Sequence, residues 1–74
     1  MKKEKRVSQT RVVWGKIRYY QAIYQLSEEE IAKSMSVLPR TLKDYDKDAQ
    51  HLTLGQLDNF LSLYNLNLIE LLSM

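Results

Sequence analysis

The 74-residue chain has no cysteine, one proline, two glycines, one tryptophan, one phenylalanine and one histidine. Without cysteine there are no disulfides, thiolate nucleophiles or thiolate metal sites. The scarcity of glycine removes phosphate-cradling loops and the sharp turn of a nucleophile elbow. His51 stands beside Gln50 with no Cys or His partner at ligand spacing, so its type and setting point to a surface role rather than to metal binding or acid–base work. No catalytic residue, metal site or cofactor is expected, and the chain reads as a non-enzyme. The longest apolar segment, Leu66 to Met74, is too short to span a bilayer. The basic start Lys2-Lys3-Glu4-Lys5-Arg6 is not followed by an apolar stretch of signal-peptide length, which leads to the expectation of a cytoplasmic protein.

What the chain does contain is 45% apolar residues, enough for one small core, and a marked separation of charge. At this length a single core is only marginally stable, and association would help. The net charge is +2. Residues 1–18 carry seven basic side chains against Glu4 alone, whereas residues 19–74 carry Lys33, Arg40, Lys43 and Lys47 against eight acids. A basic arm therefore precedes an acidic body. The expected division is an arm over residues 1–11 and a folded domain over residues 12–74. The arm reads either as a phosphate-touching extension or, over residues 1–8, as a solvating tail.

Periodicity predicts five helices and no strand. The first runs from about Val12 to Tyr24 with Val13, Ile17, Tyr20 and Ile23 on one stripe, and a packed Trp14 offsets the weak point at Gly15. The second opens on a capping box, Ser27-Glu28-Glu29-Glu30, whose acids also suit the positive end of the helix dipole. Ile31 and Met35 then point into a core, and Ala32 is small enough for another helix to cross closely. Ser36 and Val37 form a turn. Pro39 suits the first turn of a third helix, on which Leu42 and Tyr45 share an apolar face. Thr53-Leu54-Gly55-Gln56 caps a fourth helix with the stripe Leu54, Leu57, Leu61 and Tyr64, and Asn65 is a natural left-handed stop. The five tyrosines read mostly as core with the hydroxyl at the rim, leaving Tyr19 or Tyr24 as contact residues. Asn67 to Glu70 begins a last turn or two in which Leu68, Ile69, Leu71 and Leu72 leave almost no polar face. Such a segment must be covered by its own domain or by a second copy, and Leu68, Ile69 and Leu72 are the expected contact residues.

The segment Glu28 to Lys47 (EEEIAKSMSVLPRTLKDYDK) follows the helix-turn-helix pattern, in which the second helix can enter the DNA major groove. From Ile17 to Leu72 the chain resembles the Cro/repressor-type (lambda repressor-like) helix-turn-helix family of temperate phages and bacterial regulators. The resemblance is carried by Ile17-Arg18-x-Tyr20, Leu26-Ser27-Glu28-Glu29-Glu30-Ile31-Ala32-Lys33, Thr41-Leu42-Lys43-Asp44-Tyr45-Asp46, the stretch Leu57 through Leu66, and Leu68-x-x-Leu71-Leu72. It implies a compact five-helix all-α domain, usually dimeric, whose third helix reads bases. By position the DNA-facing residues would be Leu38, Pro39, Arg40, Lys43, Asp44 and Lys47.

The chain departs from the family pattern at four places. Glu28 replaces a Gln that often meets a phosphate, and a carboxylate there would be repelled. Gln21 stands where many members pair an Arg with the acid here at Asp46, so the expected contact is at most a hydrogen bond. Ser36 and Asp48 replace glycines, which makes a left-handed backbone less welcome at both.

Two functions follow as expectations. In the first, the protein is a phage-type transcriptional regulator that binds double-stranded operator DNA as a dimer. Arg40 and Lys43 would donate to guanine edges, with Thr41 and Lys47 near phosphates. In the second, the same fold is an anti-repressor or modulator that binds a larger phage repressor protein in a hetero-complex, its Glu28–Glu30 and Asp44–Asp48 acids mimicking DNA charge. Neither reading involves a membrane.

Overall fold

The computed structural model describes residues 8–74, and it is helical throughout with no strand among them. Residues 1–7, which hold most of the expected basic arm, lie outside the described residues. The chain enters α1 (Gln9–Tyr24) through Ser8, whose hydroxyl accepts a hydrogen bond from the Arg11 amide at 3.2 Å. The helix thus begins three residues before the expected Val12. Gln9, Thr10 and Arg11 form the first turn of α1, because Ser8 supplies a polar cap at the earlier position.

Each later helix starts and stops for a reason visible in its residues. Capping boxes open α2 (Glu28–Met35), α4 (Leu54–Leu63) and α5 (Leu68–Leu72), through Ser27 with Glu30, Thr53 with Gln56, and Asn67 with Glu70. Pro39 sits in the first turn of α3 (Pro39–Lys47), and Asp48 then caps a short 3-10 turn, Ala49–His51, by accepting from the Gln50 amide at 3.0 Å. Asp48 has φ −156°, which is extended, so this position needs no glycine.

Three of the helices stop by one device. Gln25, Ser36 and Asn65 are left-handed at φ 54°, 62° and 54°. Each is followed by an apolar residue whose amide reaches back to an otherwise orphaned carbonyl: Leu26 to Gln21, Val37 to Ala32 and Leu66 to Leu61. Those three side chains pack against the core, which is the apolar contact that accompanies this type of helix end. Asn65 was legible as such a stop, whereas Gln25 carries no sequence signal for it.

The core comprises Trp14, Ile17, Tyr20, Ile31, Ala32, Met35, Leu42, Tyr45, Ala49, Leu52, Leu57, Phe60, Leu61 and Leu71, with α2 packed on α3 and α4, and α1 on α5. Of the expected core positions, Val13 and Tyr64 are partly buried against it, and two, Ile23 and Leu54, are exposed. Ile23 is 51% exposed because it lies about 120° around the helix from Ile17; Tyr24, only about 20° from Ile17, is itself 58% exposed at the end of α1 and meets the core through its ring, 4.6 Å from that of Tyr20. Leu54 is 81% exposed, since it occupies the first position of α4 and reaches past the edge of the core. The inward place on α4 belongs to Phe60, which is fully buried between Tyr20 and Tyr64 at centroid distances of 5.6 and 5.1 Å. No helix among the described residues is long and apolar enough to cross a membrane.

Candidate nucleic-acid interface

The outer face of α3 is defined by what its inner face holds. Leu42 and Tyr45 are buried, and the Tyr45 ring meets Trp14 edge-on at 5.2 Å while its hydroxyl donates to Gln56 Oε1 at 2.8 Å. Those contacts fix the rotation of the helix. Arg40, Lys43, Asp44 and Lys47 are consequently exposed, with Leu38 and Pro39 exposed at the tip and Thr41 half-buried at the edge. Six of the seven residues expected to face DNA are therefore exposed, Arg40, Lys43, Asp44 and Lys47 on one side of α3 by helical spacing, and Thr41 is half-buried.

The opposite end of α3 is tied to α1 and α2 by Arg18. Its Nε and Nη2 donate to the two oxygens of Asp46 at 3.0 and 2.8 Å, a two-pronged pair. Its Nη1 and Nη2 donate to Glu28 at 2.7 and 3.3 Å, and Nη1 also reaches Gln21 Oε1. Trp14 Nε1 adds a bond to Asp46 Oδ1 at 2.8 Å, and the guanidinium carbon lies 5.1 Å from the Trp14 ring centroid. The Arg18 bonds hold both carboxyls below their ordinary pKa against the opposing effect of burial, and they raise the pKa of Arg18 itself, Asp46 contributing most.

This corrects the expectation for Asp46. Gln21 does not pair with it, but donates to the Leu26 carbonyl at 3.0 Å and accepts from Arg18. Arg18, one turn earlier on the same helix, supplies the ion pair instead. The available signal was the run Trp14, Arg18 and Gln21 at helical spacing, which puts three hydrogen-bonding side chains on one face of α1.

Among the described residues both ion pairs belong to Arg18, which leaves Arg40, Lys43 and Lys47 unpaired. The acids are committed differently. Glu28 and Asp46 bind Arg18, Glu30 and Glu70 close capping boxes, and Asp48 caps the 3-10 turn. Glu29, Asp44 and Asp58 remain without such a bond among the described residues. His51 is exposed, and no cluster of His, Cys, Asp and Glu among the described residues is placed to hold a metal ion.

At the other end of the chain Leu71 is fully buried, while Leu68, Ile69 and Leu72 remain exposed, Ile69 by 75%. The Lys16 ammonium donates to the Met74 carbonyl, which ties the end of the chain to α1. Compared with family models, curated proteins and solved structures, the chain matches none of them.

Proposed function

We propose that this chain is a small transcriptional regulator of the Cro/repressor type, in which α2 and α3 form a helix-turn-helix and α3 reads operator DNA in the major groove. The observation that carries the reading is the exposed row Arg40, Lys43 and Lys47, without ion-pair partners among the described residues, on a helix whose rotation is fixed by Leu42 and Tyr45. Arg40 and Lys43 are suited to guanine edges, and Lys47 to a phosphate. The carboxylate of Glu28 is occupied by Arg18 rather than presented alone to a phosphate, which lessens the repulsion expected there.

Binding to a larger repressor through DNA mimicry has less support. Five of the eight carboxylates in residues 19–74 are engaged within the fold, and the surface of α3 offers more cations than anions.

A mobility shift on the DNA flanking the chain's own gene, at low and near-physiological salt, tests the reading. Arg40→Ala should cost about 1–3 kcal/mol at a specific site and relax base preference there. Lys47→Ala should weaken all sequences alike and reduce the dependence on salt. A parent protein that shifts no DNA at either salt, yet releases a neighbouring repressor from its site, would establish the modulator instead.

A further inference from the structure

Leu38 is 58% exposed at the N-terminal tip of α3, two residues before Arg40 and the start of its cationic row, and Pro39 and Arg40 are exposed as well. It stands at the N-cap of α3, where its apolar side chain provides no capping hydrogen bond. Serine, threonine or asparagine at that position would cap the helix. The cations around it select a polyanion, and the floor of the major groove presents one apolar feature, the C5 methyl group of thymine. Any other base edge would lose water against Leu38 and gain no hydrogen bond in return. We propose that Leu38 reads a thymine methyl group, next to the base contacted by Arg40, so that the operator half-site contains a thymine recognised through its methyl alone.

This inference rests on the operator reading above. The test begins with short duplexes carrying a randomised centre, from which the parent protein selects a sequence. The selected duplex is then remade with deoxyuridine in place of each thymine in turn, which removes only the methyl. Substitution at one thymine per half-site should weaken the parent about fourfold, the equivalent of one buried methyl group at about 0.8 kcal/mol. Leu38→Ala should bind the thymine duplex less tightly and respond to deoxyuridine at no position. Leu38→Ser, which offers a hydroxyl cap to α3, should melt no lower than the parent and yet have lost the same response. That variant separates a reading role from a structural one. Specific selection without any deoxyuridine-sensitive thymine, or sensitivity retained in both variants, overturns the thymine contact and leaves the operator reading standing. A pool that yields no selected sequence overturns the operator reading and this inference with it.

Discussion

Removing the Arg18 guanidinium would leave Glu28 and Asp46 near one another with no cation between them, and Trp14 as the one side-chain donor to Asp46 among the described residues. Arg18→Gln should destabilise the fold by about 1–2 kcal/mol at neutral pH. The figure is held down because the Glu28 and Asp46 side chains stay 44% and 45% exposed, where water and salt screen the pair. The sign of the pH dependence follows from the lowered carboxyl pKa values. A group depressed in the folded state contributes fully above its unfolded pKa, about 4, and the contribution is lost as pH falls through the lower folded value. Tm of the parent should therefore drop more steeply below about pH 5 than that of Arg18→Gln. Parallel pH profiles for the two proteins would show that the network contributes nothing to folding. Sequence register placed Asp46 correctly but not its partner. A long side chain can meet the same carboxylate from one turn away, and spacing does not encode that reach.

At the scale of elements, the stops of α1, α2 and α4 fall where the sequence places them, whereas the start of α1 lies three residues before Val12. Ser27 with Glu30 and Thr53 with Gln56 announce their caps in the residues themselves, because the bonding groups are side chains. The stops depend on the backbone. Ser36 holds φ 62° at the end of α2, a conformation that costs a non-glycine residue roughly 1–2 kcal/mol. Ser36→Gly should relieve that strain at some loss of unfolded-state entropy, for a net gain of about 0.5–1 kcal/mol and a Tm higher by a few degrees. Asn65→Gly should gain less, since asparagine tolerates the left-handed region. Equal gains at both positions would contradict this account. The α2–α3 junction is a sharper test of packing. Ala32 and Leu42 are both buried in the shared core, so Ala32→Leu should overpack it and cost about 1–3 kcal/mol in a thermal melt. A variant melting with the parent would remove the close crossing that the operator reading requires.

Over the whole molecule, the order of helices and most of the core follow from apolar periodicity, but Phe60 was not separable from its leucine neighbours by pattern alone. Tertiary contact decides which face of α4 turns inward, and the rings of Tyr20 and Tyr64 select Phe60. The α3 surface was legible by position, although its charge balance was not, because side-chain bonding decides which acids are committed. The remaining question at this scale is what covers α5. Leu71 fills the protomer's own core, so Leu68, Ile69 and Leu72 are left as an apolar patch on a chain too small to be robustly stable alone. If two copies join these residues across a two-fold axis, the parent should sediment as a concentration-dependent dimer and its Tm should rise with protein concentration. Ile69→Glu should abolish both effects by placing a charge at the seam while leaving Leu71 undisturbed. Leu71→Ala should instead cost about 2–5 kcal/mol of protomer stability, a loss that dimerisation cannot explain. Under the proposed operator reading, in which a helix-turn-helix dimer addresses two half-sites a helical turn apart, Ile69→Glu should also reduce affinity for a palindromic site more than for a single half-site. A parent that stays monomeric at high micromolar concentration would reject the two-fold contact and, under the proposed operator reading, restrict α3 to one half-site at a time.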